Sequence, residues 1–492
     1  MPPTGGGRTI RPSADNYDES YHPPSPQRFS PRMSDILFQY ERVNPTSWAY
    51  LSSLLLLALF FKFNRVFSVR NIDLFMLIAL APGLLLVLYS YEQEGLGGAV
   101  NVVEIQKLGF QWLFAVGVII LIRLLIDPAM VRRPLLDPNL NAAGLAFLGS
   151  SLLFFLMANV VTGRPGAAAV SPALPAAELK AETAKIDPES DETIDTFETE
   201  GPGYWLLYLL PRISTQTVID QSSETPPETD AERLQQRQKV GVVTARVVAI
   251  ISQVMIVAGL VLVGSWHFDN LVAGIAAAVM YLLLPYTARW CGDPEHCLPA
   301  SLLVWAVVMY RRPLVAGMLI GLASGTIYYP IFLLSLWCSF YWERGVKRFA
   351  AGVLIAILAL IITMAITAGS PDRFLGHLRQ MFGIRWPRLE HLQGIWRFWN
   401  PVYRIPIIIG FSALAISFVA WPNRKNLGVL ISCTAALMVG AQFWQPHEGG
   451  MYVAWYLPLL LLTIFRPNLE DRIAATMVRE SWWEQRRRRA AA

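Results

Sequence analysis

The chain is poor in charge, cysteine and histidine. Of its 492 residues, 16% are Asp, Glu, Lys or Arg, four are cysteines and six are histidines. So little charge, with 54% hydrophobic residues and a mean hydropathy of +0.40, excludes an ordinary soluble domain and fits a multi-span membrane protein. Four cysteines exclude a disulfide framework. Cys338 and Cys433 lie in apolar runs and read as inert helix residues. Cys291 and Cys297 flank one turn, where they could pair in an oxidising compartment or remain thiols. With a single His beside them, they lack the second ligand pair of a zinc site, and no metal is expected. A Walker loop, a dinucleotide fingerprint and HExxH are also missing, so no cofactor and no ATP-driven pump are expected. The net charge of +5 sits in short turns and the C-terminal tail, where membrane orientation accounts for it without nucleic acid. No cleavable signal peptide is visible: residues 1–47 are rich in Pro, Ser, Gly and charge, and read as a disordered tail.

What the chain does contain is a succession of apolar runs. A membrane-crossing helix needs about 20 mostly apolar residues, less where flanks contribute. Residues 48–161 hold four such runs: Trp48–Phe61, Ile72–Tyr89, Leu108–Ile126 and Ala142–Val161. Pro82-Gly83 in the second predicts a kink, and Arg123 near the end of the third is placed to snorkel. Residues 162–239 are hydrophilic, with nine acids between Glu178 and Glu200 against Lys180 and Lys185, and read as a solvated loop. Inside it, the apolar patch 203–211 is too short to span and fits an interfacial or re-entrant segment. Residues 240–466 carry the remaining runs, and 467–492 form a basic tail ending in Arg486–Arg489. The expected fold is an all-α, polytopic membrane bundle of about 12–13 spans.

Leu284–Phe349 sets the orientation. Its turns Tyr310–Pro313 and Trp342–Arg348 are basic, whereas Ala288–Cys297 and Gly325–Pro330 carry carboxylates, a His and tyrosines. Short basic turns stay on the cytoplasmic side. The later turns continue the alternation: 422–425 falls inside, and 370–404 and 442–450 fall outside. This pattern predicts a multi-pass protein of a bacterial cytoplasmic membrane with its C-terminus in the cytoplasm.

From Asn270 to Phe465 the chain resembles polyprenol-phosphate-dependent glycosyltransferases of the GT-C type, in particular the mannosyltransferase-like DUF2029/GT87 group. The residues that carry this are LLLPYTA (282–288), Ala316-Gly317, Gly321-Leu322-Ala323, Tyr328-Tyr329-Pro330, Trp455–Pro458 and Phe465-Arg466-Pro467. The resemblance covers about two-fifths of the chain and implies a GT-C-like fold and transfer of a hexose, such as mannose, from a polyprenyl-phosphate donor. It departs from the family in one respect. The early outer loop that holds the family's catalytic acid has no clear counterpart here, which leaves the base unassigned. Gly317-xxx-Gly321 is also an ordinary helix-packing motif.

Such a transfer needs a carboxylate to take a proton, a cation for the leaving phosphate, aromatic faces for sugar and an apolar groove. The candidate catalytic acids are Asp293, Glu295 and Glu448. Candidate substrate-binding residues are His296, Tyr328, Tyr329, His447 and, from the Arg- and Trp-rich stretch 370–404, Arg385, Trp386, His391, Trp396 and Trp399. Each has a bland alternative, as a solvated loop acid, an interfacial side chain or a binder of lipid headgroups. The expected partners are membrane lipids and the polyprenyl-phosphate sugar donor. A transporter or flippase, or a membrane protein that kept the fold without catalysis, are the competing readings. Transporters tend to show repeats and mid-span charge; no convincing repeat is visible, and charge within the runs is scarce. The orientation predicts that a periplasm-dependent reporter fused in the 442–450 turn is active and one fused in the 343–348 turn is silent; the reverse pattern would invert the topology.

Overall fold

The computed structural model describes residues 44–95, 101–130, 136–163, 203–222, 230–367, 392–423 and 425–467, with a few positions between 371 and 378. It is a helical membrane bundle without β-strands among these residues. The helices are α1 (Pro45–Phe60), α2 (Val69–Ile78), α3 (Leu80–Gly95), α4 (Val102–Ile126), α5 (Ala142–Thr162), α6 (Gly203–Ser222), α7 (Asp230–Trp266) and α8 (Leu271–Leu283). They are followed by α9 (Pro285–Trp290), α10 (Pro294–Val308), α11 (Pro313–Thr326), α12 (Leu333–Phe340), α13 (Val346–Thr367), α14 (Arg404–Ser417), α15 (Leu427–Gln442) and α16 (Leu457–Phe465). Five stretches among the described residues are long and apolar enough to cross a membrane: α2–α3 taken together, α4 with the turn after it, α5, α7 from Gln235, and α13. The rest are shorter apolar helices.

Starts are written in the sequence. Asn44, Ser68, Asn141, Asn270 and Asn426 cap α1, α2, α5, α8 and α15 with side-chain oxygens that accept a first-turn N–H. Proline opens α9, α10 and α11, where its missing N–H costs nothing.

Several boundaries differ from those expected. The second run breaks at Ala79, three residues before Pro82, because proline cannot donate to the preceding turn and crowds it. The Ala79 carbonyl accepts from the Trp112 indole at 2.7 Å. The run from Asn270 ends at Leu284, ahead of Pro285. The patch at 203–211 is the start of a 20-residue helix, and its Tyr204 and Tyr208 are buried against Ala245, Val248 and Leu298. The loop expected to reach residue 239 yields to α7 at Asp230, so this 37-residue helix is about 55 Å long and outruns an apolar core of about 30 Å. The last apolar run, from Met451 to Phe465, is α-helical only over the nine residues of α16, since 451–456 form a buried loop with one 3-10 turn at Val453–Trp455. Of the two states open to Cys291 and Cys297, the structure shows the one without a disulfide, and both side chains are buried.

The glycines of the AGxxxGLA segment have a packing role. α11 and α13 run parallel, and Gly317 and Gly352 let them touch, since a Cβ on either would overlap the carbonyl of Phe349 or Leu314. Gly321 faces Ala356, and Gly325 faces Leu360. This geometry accounts for the small-residue spacing without reference to sugar.

Arg123 does not snorkel. Its guanidinium forks onto Asp73 at 2.7 and 3.0 Å and reaches Asp127 at 3.0 Å. Asp127 also accepts from Arg466 at 2.5 and 3.2 Å. Asp73 and Asp127 are fully buried and Arg466 is 5% exposed, so α2, α4 and the end of α16 are tied together at one end of the bundle. Gly428 makes the space, because a side chain there would overlap the Arg466 guanidinium. Breaking one partner of a buried pair leaves the other charge uncompensated, which costs about 3–5 kcal/mol. Arg123→Gln is expected to lower the melting temperature of the purified protein sharply, and Arg466→Gln likewise; a change no larger than that of an exposed substitution such as Lys107→Gln would show the network to be inert.

Candidate functional site

At the bundle end opposite this network, the chain between α15 and α16 gives up the α-helix, keeping one 3-10 turn at Val453–Trp455, and is mostly buried. Its backbone polar groups find partners. Gln445 N–H bonds Ala441, Met451 N–H bonds Glu448, and Pro446 accepts from Gln393 N–H at 2.9 Å. The Gln442 side chain accepts from Gly450 N–H at 3.1 Å. Glu448 takes a left-handed conformation at φ +46° and Gly450 one at φ +100°. The first is uncommon for a residue with a side chain and persists only where its surroundings fix it. Here Gly394 lies against the Glu448 backbone, 2.8 Å from where its Cβ would be, and Gly449 presses on the Gln442 carbonyl.

The loop thereby brings together residues far apart in sequence. Tyr91, at the end of α3, donates to Glu448 Oε1 at 2.6 Å. Arg397 donates to Gln106 at 3.0 Å and pairs with Glu94 at 3.4 Å. Asp293 is the residue that precedes α10 and Glu295 lies in its first turn, and the Glu295 carbonyl accepts from the Trp455 indole at 3.0 Å. Burial, and then the charges of Asp293 and Glu448, push the Glu295 carboxyl up to about 7. All three candidate acids therefore share one electrostatic neighbourhood. Arg289, 4.0 Å from Asp293, lies over the Trp290 ring.

The candidate binding residues are distributed differently. His296 is buried, hydrogen-bonded to the Tyr286 hydroxyl and sandwiched between Trp290 and Tyr452 at 4.4 and 4.8 Å. The stack continues from Tyr452 to Trp455 at 4.4 Å. Tyr329 packs on Trp444 and Trp455, and Tyr328 contacts Tyr329 and Phe332, so both keep a part-exposed edge beside the loop. His447 is buried within the loop. Trp396 is 1% exposed, and Trp399 packs on Phe114 and on Trp396. Rings covered in this way are structural, and Trp396 offers no face to a sugar, contrary to its expected role. Arg385, Trp386 and His391 lie outside the described residues.

Beside the loop, Leu77, Leu80, Leu84, Leu113, Leu284, Tyr286, Gly450, Val453 and Leu457 line a narrow apolar cleft of about 10 Å³, the size of one water. The α2–α3 break forms one wall. Sequence reasoning missed Tyr91, Gln106, Tyr286 and Tyr452 as members of this neighbourhood. Nothing local marks them, because each acquires its role from a partner at least ten positions away in the chain, most of them far more.

Gly449→Ala is expected to displace the Gln442 carbonyl and cost about 1–3 kcal/mol in stability. Gly410→Ala, where a Cβ meets nothing, is expected to be neutral or slightly stabilising. Equal melting temperatures for the two variants would contradict the packing of the loop. Comparison of the chain with models of known protein families, with curated proteins and with solved structures gives no match.

Proposed function

We propose that the protein is an integral-membrane glycosyltransferase of GT-C type that moves a hexose from a polyprenyl-phosphate donor to an acceptor hydroxyl outside the cytoplasm. The observation that carries this reading is the meeting of Asp293, Glu295 and Glu448 in one neighbourhood, with Arg397 reaching the same Tyr91 that holds Glu448. Glu295 is the base: a carboxylate that titrates near neutrality combines sufficient basicity with a useful ionised fraction. It takes the proton of the acceptor hydroxyl as that oxygen bonds to the anomeric carbon. The bond from the anomeric carbon to the phosphate oxygen breaks, and polyprenyl phosphate leaves with the electron pair. Arg397, steered by Gln106 and Glu94, faces the leaving phosphate. Glu448, fixed by Tyr91, orients the sugar. The basic turns support an orientation with this end of the bundle outside a bacterial cytoplasmic membrane and the C-terminus inside.

A solute or lipid carrier is the second reading, favoured by the buried charges Asp73, Arg123, Asp127 and Arg466, since ionisable groups within a membrane often mark a transport path. Full pairing of these groups argues for a structural role instead.

The test is transfer of labelled hexose from polyprenyl phosphate in membranes carrying the protein. Glu295→Gln is expected to lower kcat at least a hundredfold, in the range of general-base loss, and Arg397→Gln to raise the donor KM more than it lowers kcat. A group with a raised carboxyl pKa is protonated below it and ionised above it, so kcat should climb as the pH passes upward through about 7 and lose this step in Glu295→Gln. Wild-type activity in Glu295→Gln would remove it as the base. Absence of transfer by the unaltered chain with several hexose donors, together with solute or lipid flux across proteoliposomes, would favour the carrier.

A further inference from the structure

At the end of the bundle away from the candidate site, two turns that are separated by some thirty residues form one surface. The Tyr341 hydroxyl donates to the Tyr310 carbonyl at 2.5 Å, and the parallel contact of α11 with α13 sets the starts of both helices side by side. The turns Tyr310–Pro313 and Tyr341–Arg348 therefore pool Arg311, Arg312, Arg344, Lys347 and Arg348 against one acid, Glu343. Arg312 and Lys347 are exposed, and Trp342 shows 74% of its surface. A Trp so exposed beside a cluster of cations fits the headgroup level of a bilayer, where one edge of the ring is apolar and the other wet.

The surface does not stop at the charges. From Lys347, the outward face of α13 continues through Leu354, Leu358 and Ile362, at helical spacing, and these are 57%, 48% and 58% exposed. Cations at the mouth and an apolar stripe beneath them match one molecule: a headgroup bearing negative charge on top of acyl chains. A soluble anion would use the cations and leave the stripe unexplained. A neutral lipid would use the stripe and leave the concentration of positive charge unexplained.

We propose that this surface seats an anionic phospholipid of the leaflet bordering that end of the bundle. Its phosphate lies among Arg312, Lys347 and their neighbours, and its chains lie along α13. The inference is independent of the reaction at the opposite end and holds for a transferase or a carrier alike.

The experiment uses the full-length protein in detergent, titrated with phosphatidylglycerol, with phosphatidylcholine or with inorganic phosphate, and the bound species counted by native mass spectrometry. Phosphatidylglycerol is expected to bind in preference to phosphatidylcholine. Each neutralised cation near the headgroup should weaken binding about fivefold, so Arg312→Gln with Lys347→Gln should weaken it about twentyfold or more. Both side chains are exposed, which makes loss of folding an unlikely confusion; Lys107→Gln, at the opposite end, should leave binding unchanged. In a second measurement, bromine-labelled phosphatidylglycerol should quench tryptophan fluorescence more than the labelled phosphatidylcholine, and Trp342→Phe should remove the difference. Undiminished phosphatidylglycerol binding in the double variant would overturn the proposal. So would displacement of the lipid by inorganic phosphate at equal concentration, which would show that the chains contribute nothing.

Discussion

A chain inside a bilayer must satisfy its own backbone, because hydrocarbon supplies neither donors nor acceptors. The rest of this structure follows from how it meets that condition where it abandons the helix. Gln442–Tyr456 is a mostly buried, largely non-α-helical segment among described residues that are mainly helical. It is tolerable only because Gln393, Gln442, Ala441 and the segment's own turns provide partners for its amides and carbonyls. To reach those partners the backbone enters left-handed geometry at Glu448 and Gly450, and glycines at 394 and 449 give it room. The outcome is a carboxylate presented at a fixed position beside an apolar cleft, a combination that a regular helix could not supply.

The two ends of the bundle use charge in different ways. At one end Asp73, Arg123, Asp127 and Arg466 are removed from water and pair closely, which joins the early helices to the last one. Desolvation makes such a network expensive unless every member finds its partner, and the bidentate fork of Arg123 on Asp73 is the geometry that meets this demand. At the other end the acids lie close to one another, Glu448 accepting from Tyr91 and Asp293 lying 4.0 Å from Arg289. Glu295 is held near two like charges, so its protonation state is poised rather than fixed. Rigidity is thus placed away from the candidate chemistry, and electrostatic tension beside it.

Aromatic residues join the elements around the candidate site. The stack Trp290–His296–Tyr452–Trp455 joins the end of α9 and the first turn of α10 to the loop before α16, and Tyr329 and Trp444 extend it toward α12 and α15. These rings were attractive as sugar platforms when only their positions in the chain were known. Once packed against each other, His296 and Trp396 serve as walls, whereas Tyr328 and Tyr329 keep part of their surface open. A ring can either close a core or meet a ligand, and sequence position does not say which.

By itself the sequence determined a helical membrane protein, its main apolar runs, the caps that begin its helices and the alternation of basic and acidic turns. All of these rest on local chemistry: the cost of charge in hydrocarbon, the fixed geometry of proline and the side-chain oxygens that cap a first turn. It also pointed to Asp293, Glu295 and Glu448 as acids on one side of the bundle. Only the tertiary structure decided that Arg123 pairs with Asp73 and Asp127, that the glycines of α11 serve α13, that the last apolar run is α-helical only from Leu457 and that Tyr91 holds Glu448. Each of these is a contact between segments whose spacing in the chain carries no periodic signal. The free energy that fixes such contacts arises from mutual burial, which no single segment possesses until the others have arrived.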